Sequence, residues 1–307
     1  MLKYSKTLGL VILVFLFVMC NQKNKNEAEK ETILKGSLDI AVDETVKQIV
    51  DDQVAVFEGT YYDAKIIVKP KSEAEVINDL LNQRAKVAIT TRNLTEEEKA
   101  RFEKKKINPR VTPFAHDAIA FISSKSNNDT LIALKSVIDF LQGKSDSKIK
   151  GLVFDNPNSS TVRYMKDLAK INEVPKSGVF SFKTNNEVIK FVSENEGMIG
   201  VIGVNWIYQP TPDMLETVKK VNVLYVKGLS DNEYYSPTQN DLEIGKYPLA
   251  RDLFIINCQG YTGLGMGFAS FIAGDIGQRI VLKSGLLPYK TPGRKLNIRS
   301  EIIKDKE

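Results

Sequence analysis

Strand and helix patterns alternate along the chain from residue 38 onward, and this alternation limits the fold more than any other feature of the sequence. The run 38–42 is short, apolar and typical of a strand, and a helical pattern follows it. Ser72 with Glu75, and Thr95 with Glu98, have the spacing of capping boxes that open two later helices. Such alternation predicts an α/β architecture with mostly parallel sheets.

The same patterns predict the remaining elements. Further strands are expected at 65–68, 87–89, 117–122, 152–154, 198–204, 221–226 and 253–256. Helices are expected at 44–57, from 72, at 95–106, 131–141, 161–171, 186–192, 268–273 and 276–284.

Three of the predicted strand-to-helix junctions are rich in hydroxyl and acidic side chains. They are Asp43-Glu44-Thr45, Thr90-Thr91-Arg92-Asn93 and the stretch from Asp155 through Ser159, Ser160, Thr161 and Val162 to Arg163. Helix N-termini bind anions through free N–H groups, and open α/β sheets bind ligands beyond the carboxyl ends of their strands. Arg92 and Arg163 can add charge-assisted bonds to an oxyanion. The alternative is plain helix capping, since the same residue types are the preferred caps.

Charge and composition exclude several classes of partner. Lys and Arg number 43 against 38 Asp and Glu, a net charge of +5, which is a weak field for a nucleic-acid binder. One histidine and two cysteines leave almost nothing for a zinc site. We therefore expect no metal and no nucleic-acid partner, and no organic cofactor is needed if N–H groups, hydroxyls and arginine meet the charge of an anion.

The N-terminus carries a targeting pattern. Lys3 and Lys6 precede an apolar run at 8–19, which is short for a membrane span, and Cys20 follows it. We expect a signal peptide at 1–19 and a polar tether at 20–32. The cysteine resembles a bacterial lipobox and predicts a lipid anchor, although Met19 departs from that motif; an uncleaved anchor or an ordinary signal peptide remains open. Cys258 lies in an apolar run and is expected to be a buried thiol.

Taken together, the motifs resemble the phosphate-binding component of bacterial ABC phosphate uptake systems, a periplasmic substrate-binding protein of type II-like fold. The resemblance covers nearly all of 33–290 and depends on the order of its pieces, which are 36–38, 89–94, 155–161, 197–203, 247–253, 271–273, 277–281 and 284–288.

The resemblance implies two α/β lobes, each a mostly parallel sheet flanked by helices, with the ligand cleft between them. Lobe I is expected at 33–113 with 250–307, and lobe II at 114–249. It also implies a lipid-anchored monomer in the periplasm or cell envelope that binds inorganic phosphate and delivers it to ABC permease subunits. Two alternatives keep the fold: another oxyanion such as sulfate, molybdate or tungstate, or a phosphate sensor or surface interaction module without transport.

The family's ligand residues carry over to this chain unevenly. The matching positions are Glu44, Thr45, Thr90, Thr91, Ser159, Ser160 and Thr161, with Ser160 in place of a glycine. Some members have a buried aspartate where Thr91 lies; it accepts the proton of hydrogen phosphate and rejects sulfate. Glu44, Asp43 or Asp155 would have to take that role, or discrimination is weaker. Asp155 stands where some members have an arginine, which Arg92 or Arg163 would replace.

Two other readings of the motifs are weaker. His116-Asp117 beside many serines suggests a Ser-His-Asp hydrolase, but neighbouring side chains on a strand point to opposite faces, so we expect no enzyme. Gly263, Gly265 and Gly267 have the spacing G-x-G-x-G, which lacks the dinucleotide spacing, and we expect a flexible turn before a helix at Phe268.

Overall fold

The computed structural model describes residues 31–144 and 149–293. Within those residues the strands are β1 (Gly36–Asp43), β2 (Ala64–Lys71), β3 (Val87–Thr90), β4 (Arg110–Ser124), β5 (Leu131–Ala133), β6 (Gly151–Phe154), β7 (Val179–Ser181), β8 (Met198–Gly203), β9 (Val221–Val223), β10 (Tyr225–Lys227), β11 (Tyr234–Tyr235), β12 (Ala250–Asn257) and β13 (Leu287–Pro288).

The α-helices of the described residues are α1 (Lys47–Thr60), α2 (Glu73–Leu81), α3 (Glu96–Lys104), α4 (Leu134–Leu141), α5 (Ser160–Ala169), α6 (Asn185–Glu194), α7 (Asn205–Tyr208), α8 (Leu215–Val218), α9 (Gln239–Glu243), α10 (Leu264–Ala273) and α11 (Asp275–Lys283). Short 3-10 turns occupy Glu44–Val46 and Pro212–Met214. The capping boxes predicted at Ser72 and Thr95 are both present.

One long strand joins the two lobes. The main sheet has the order β2-β1-β3-β12-β4-β8-β6-β7, with β9 and β13 also paired to β4. The first part of β4 pairs with β12 and its second part with β8, so the strand belongs to both halves of the sheet. We call β2, β1, β3 and β12 the first half-sheet, and β8, β6 and β7 the second.

The α/β prediction is confirmed, and the direction of the strands adds a detail to it. β1 pairs parallel with β2 and β3, and β6 pairs parallel with β7 and β8. β12 and β4 run antiparallel to each other and to their other neighbours. The sheet is therefore parallel in its outer parts and antiparallel at the centre, where the chain crosses between lobes. The predicted lobe bounds stay a prediction.

Two element predictions are wrong in part. The helix predicted at 131–141 begins at Leu134, because Leu131–Ala133 pairs in parallel with β10. The strand predicted at 221–226 breaks at the buried Leu224, where the chain leaves β4 to join β5. In both places the apolar pattern is correct, but pairing with a distant strand decides the local structure.

The apolar core supports the strand ends from which the polar loops emerge. One cluster of buried side chains includes residues of both half-sheets, and Phe57, Phe121 and Phe154 are among its fully buried members. Each such ring contributes about 1.5–3 kcal/mol by burial. A second cluster, with Leu80 and Phe102, lies between α2, α3 and the first half-sheet. The loops at the strand ends therefore start from fixed positions.

The glycine-rich segment has a packing role that differs from the predicted flexible turn. Its helix begins at Leu264 rather than at Phe268, so Gly265 and Gly267 are helical. A Cβ on Gly267 would lie 1.7 Å from the carbonyl oxygen of Ile33. Glu31 accepts the Leu264 N–H at 2.6 Å and so caps the first turn of the helix. Gly267 thus lets the N-terminal segment, residues 31–33, lie directly on α10.

The predicted signal peptide, Cys20 and residues 21–30 of the tether lie outside the described residues. Across the part of the chain that the structure describes, no helix has both the length and the apolar character needed to cross a membrane.

Candidate functional site

The loops after β1, β3 and β6 meet between the two half-sheets. Thr45 follows β1, and its hydroxyl oxygen lies 2.8 Å from that of Ser160, the first residue of α5. The backbone N–H of Ala74, in α2, donates to the carbonyl oxygen of Asn158 at 3.4 Å. These contacts join residues far apart in sequence, and they close the cleft on the side of the strand ends.

A directed chain of hydrogen bonds crosses this cleft. Arg251 Nη1 donates to Ser160 Oγ at 3.0 Å, and Thr45 Oγ1 donates to Asp43 Oδ1 at 2.6 Å. Because the Thr45 proton is used on Asp43, the contact between the two hydroxyls has Ser160 as its donor. The chain therefore runs from Arg251 through Ser160 and Thr45 to Asp43. All four side chains are buried.

Arg251 is a buried cation of the cleft that the sequence pattern did not indicate as a ligand residue. It lies opposite Asp117 in the β12–β4 pair, and its Nε donates to Asp117 Oδ2 at 2.8 Å. Its Nη2 lies 2.7 Å from the same oxygen but has no hydrogen-bond partner among the described residues. The signal in the sequence is an arginine near the start of a mostly apolar strand, where burial of a charge requires a partner.

His116 of β4 and Asp252 of β12 form the next residue pair along these two strands, and their side chains lie on the opposite face of the sheet. His116 Nδ1 lies 2.6 Å from Asp252 Oδ1, and both side chains are partly exposed. The expectation that His116 and Asp117 point to opposite faces is therefore confirmed. Their separation rules out a catalytic pair made of these two residues.

Asp155 accepts hydrogen bonds from the hydroxyl groups of the loop after β6. Its Oδ1 accepts from Ser159 Oγ at 2.5 Å and from Thr161 Oγ1 at 2.7 Å, and its Oδ2 accepts from Asn185 Nδ2 at 3.2 Å. The same Asn185 nitrogen donates to Glu44 Oε2 at 2.9 Å. These hydrogen bonds hold Ser159 and Thr161 beside Ser160. The three predicted hydroxyl groups of the loop after β6 therefore lie together at the N-terminus of α5.

The two predicted arginines are engaged by carboxylates. Arg92 makes two bonds of 2.8 Å to Glu98, the residue that closes a capping box of α3. Arg163 contacts Glu73, at the start of α2, through its Nε and, at 3.4 Å, through Nη2. These pairs compete with any anion for the two guanidinium groups. A contact of either arginine with a ligand stays a prediction.

Thr90 and Thr91, the predicted site residues of the loop after β3, make hydrogen bonds to two different partners. Thr91 Oγ1 donates to Glu73 Oε1 at 2.9 Å, and so joins the group around Arg163. Thr90 Oγ1 donates to the backbone carbonyl of Arg92 at 2.8 Å, which shapes the loop itself. Both threonines are buried. The structure thus brings Thr45 and 159–161 into one group, and Thr91 lies beside that group. The Thr90 hydroxyl is bonded only to the backbone of its own loop among the described residues.

Several polar atoms of the cleft are buried without partners among the described residues. Asp43 Oδ2 is one, and both amide atoms of Asn205 are others. A Cβ on Gly203 would lie 2.9 Å from Asn205 Oδ1 and 3.3 Å from Arg251 Nη2, so these groups surround the same point. Buried polar groups of this kind are normally satisfied, and their clustering marks a place for a polar ligand or water.

Burial raises the pKa of the acidic groups here. Burial, with the charge of Glu73, raises the pKa of Asp43 to about 6, against the lowering effect of Arg251. Burial and the charge of Asp155 raise the pKa of Glu44 to about 8. Burial raises the pKa of Asp155 as well. A cleft with more buried and partly buried acids than free cations therefore favours protonation of some of its acids near neutral pH.

The chain matches known proteins over most of its length. The family model for the PBP superfamily domain matches residues 27–275. The curated phosphate-binding protein PstS of Borreliella burgdorferi is 29% identical, over 92% of this chain and 99% of that protein. A phosphate-binding protein PstS of Staphylococcus epidermidis is 26% identical, over 72% and 69% of the two chains.

A solved structure shares the fold at lower identity. The ABC-type phosphate transport receptor of Vibrio cholerae superposes with a TM-score of 0.63, at 17% identity, over 82% of this chain and 100% of that one. This likeness supports the two-lobed α/β architecture described above.

Proposed function

This chain belongs to the PBP superfamily, and from that premise we propose that it captures inorganic phosphate between its lobes and delivers it to an ABC permease. The support from relatives is in their names: the Borreliella burgdorferi protein is a phosphate-binding protein, and the Vibrio cholerae structure is an ABC-type phosphate transport receptor. The role is binding, not catalysis.

The observation that carries the proposal is the buried group formed by Arg251, Ser160 and Thr45. Ser160 Oγ lies 3.0 Å from Arg251 Nη1 and 2.8 Å from Thr45 Oγ1, so a guanidinium and two hydroxyls from separate loops converge. Arg251 Nη2 is buried and ion-paired with Asp117 at 2.7 Å, and it makes no hydrogen bond of favourable geometry among the described residues. Together with the N-terminus of α5, these donors match the several oxygens of an oxyanion.

In this proposal the hydroxyl groups change partners when the anion binds. Thr45 and Ser160 turn their protons from protein acceptors to phosphate oxygens, which the free rotation of a hydroxyl permits. Ser159 and Thr161 keep their bonds to Asp155 at 2.5 and 2.7 Å and hold the loop in place. Thr91 and Arg163 act through Glu73, so they support the cleft rather than contact the anion.

We assign discrimination between phosphate and sulfate to Asp43. Of the three acids considered for this role, Asp155 accepts bonds on both oxygens and Glu44 shares Asn185 with it. Asp43 Oδ2 is buried and has no donor among the described residues. An ionised Asp43 can accept a hydrogen bond from the O–H group of hydrogen phosphate, whereas sulfate has no proton to donate and would be repelled.

The finer features are proposals that depend on the sequence. We propose removal of the signal peptide at 1–19, lipid attachment at Cys20, a tether at 20–32, and lobes with the bounds predicted above. The protein would then be a monomer on the outer side of a membrane, where a permease can accept its ligand.

Calorimetry of the purified, phosphate-free protein with phosphate, arsenate, sulfate and molybdate tests the proposal. We expect phosphate and arsenate to bind, because both can carry a proton at neutral pH, and sulfate to bind at least tenfold more weakly. Absence of heat with phosphate would contradict the proposed function. A preference for sulfate would contradict the role of Asp43 alone.

A further inference from the structure

One amide nitrogen holds two acids together across the cleft. Asn185 Nδ2 donates to Glu44 Oε2 at 2.9 Å and to Asp155 Oδ2 at 3.2 Å. Glu44 follows β1 of the first half-sheet, whereas Asp155 and Asn185 follow β6 and begin α6 in the second. The two carboxyl groups are neighbours because the half-sheets meet here, and any opening of the cleft separates them.

The surroundings do not neutralise this pair. Asp43, the other acid acting on Glu44, adds negative charge, and Glu73 of α2 acts on Asp43. Arg251 of β12 acts on Asp155, but it is already bound to Asp117. Two ionised carboxylates in a buried site repel each other strongly unless one is protonated.

The amide oxygen of Asn185 is a buried acceptor on the same side chain whose nitrogen binds both acids. Asn185 is fully buried, and its Oδ1 has no donor among the described residues. A buried acceptor of this kind is normally satisfied by a donor, and a protonated carboxyl group can donate a hydrogen bond where a carboxylate cannot.

We propose that the cleft closes with uptake of one proton from solvent, which is held on Glu44 in the pair with Asp155, so that closure is a proton-linked switch. The step forms one O–H bond on a carboxylate and releases the proton to solvent when the cleft reopens. It goes beyond the proposed function, because it does not depend on which anion is bound.

The direction of the pH effect follows from the pKa of Glu44. Burial and the charge of Asp155 raise that pKa from 4.5 to about 8 in the closed form, whereas separation and hydration return it toward 4.5 in the open form. The closed form therefore binds the proton more tightly. Closure is favoured at low pH and becomes progressively less favoured as the pH rises from about 4.5 to about 8.

The chain has a built-in reporter of closure. Trp206 is its single tryptophan, it is buried, and its Nε1 donates to the carbonyl oxygen of Thr45 at 2.7 Å. Trp206 follows β8 of the second half-sheet, and Thr45 follows β1 of the first. Opening the cleft breaks this bond and exposes the indole to water, which shifts its emission to longer wavelength.

The test is a fluorescence titration of the phosphate-free protein from pH 5.5 to 9.5. We expect wild-type emission to shift to longer wavelength as the pH rises, with a midpoint at or below the closed-form pKa of Glu44, about 8. Glu44→Gln should lose the transition, and the matched control Glu103→Gln, an exposed change on α3, should keep it. A wild type without a transition, or a Glu44→Gln titration equal to wild type, would overturn the proposal.

A second variant covers the case in which Glu44→Gln fails to fold. Asp155→Asn removes the neighbouring charge, so the Glu44 midpoint should fall by at least half a pH unit; an unchanged midpoint would also overturn the proposal. Saturating phosphate, added afterwards, should move the wild-type midpoint upward. If the phosphate-free transition occurs as expected but phosphate does not move it, the proposed function fails and the proton-linked switch stands.

Discussion

Arg251 and Asp117 face each other across the antiparallel β12–β4 pair, with two guanidinium nitrogens at 2.8 and 2.7 Å from one carboxylate oxygen. Their side chains are 2% and 0% exposed, so the ion pair is nearly dry. Burial lowers the pKa of Arg251, but Asp117 and Asp43 outweigh it and keep that pKa above its usual value. The pair therefore keeps the guanidinium of Arg251 ionised at the base of the cleft.

Replacement of Arg251 by Met should weaken both ligand binding and the fold. Loss of the charged donor should cost about 1.5–3 kcal/mol of phosphate affinity, measured by calorimetry. The uncompensated Asp117 should cost about 3–5 kcal/mol of unfolding free energy, measured with urea.

A double variant separates those two effects. Arg251→Met combined with Asp117→Asn leaves no buried charge at this position and should regain most of the unfolding free energy. Phosphate affinity should stay low, because the cation is still absent. Recovery of wild-type affinity in the double variant would show that Arg251 serves stability only.

Replacement of Asp43 by Asn should relax the choice of anion. The amide side chain of this variant cannot ionise to a carboxylate, so the repulsion of sulfate disappears, and the amide can donate a bond. We expect sulfate affinity to rise at least tenfold relative to phosphate affinity in competition calorimetry at pH 7.5, above the pKa of Asp43 of about 6. Asp39→Asn, an exposed change on the same strand, is the matched control. An unchanged ratio of affinities would assign discrimination to another residue.

The sequence predicted the helices and strands that form the site better than it predicted which side chains interact there. Capping boxes, the carboxyl ends of β1, β3 and β6 and the hydroxyls at 159–161 are local patterns, and the structure has them within one residue of where the sequence indicated. The sequence did not indicate Arg251 because its role depends on the β12–β4 register. That register pairs it with Asp117, which is 134 residues away in the sequence. Arg92 was predicted to bind the anion because it lies beside Thr91, but its guanidinium group donates hydrogen bonds to Glu98, six residues later. Register and competition between partners are properties of the folded chain.

Arg163→Ala should weaken phosphate binding more than Arg92→Ala does. Arg163 of α5 contacts Glu73 of α2 and so joins elements on the two sides of the cleft, whereas Arg92 binds Glu98 within its own region. We expect about tenfold weaker binding for Arg163→Ala and less than half of that free-energy change for Arg92→Ala, by calorimetry. Arg163→Lys should restore part of the loss, because charge attraction to Glu73 remains. Equal losses in the two alanine variants would indicate that both arginines contact the anion.

Gly267→Ala should destabilise the protein although it replaces glycine with the best helix former. A Cβ there would lie 1.7 Å from the carbonyl oxygen of Ile33, so the N-terminal segment must leave α10 and take the Glu31 cap with it. We expect a loss of about 1–3 kcal/mol of unfolding free energy, measured with urea, as overpacking typically costs. Gly59→Ala in α1 is the matched control: nothing lies near its Cβ, and helix propensity predicts a gain of up to about 1 kcal/mol. A gain at both positions would mean that the N-terminal segment does not pack on α10 in solution.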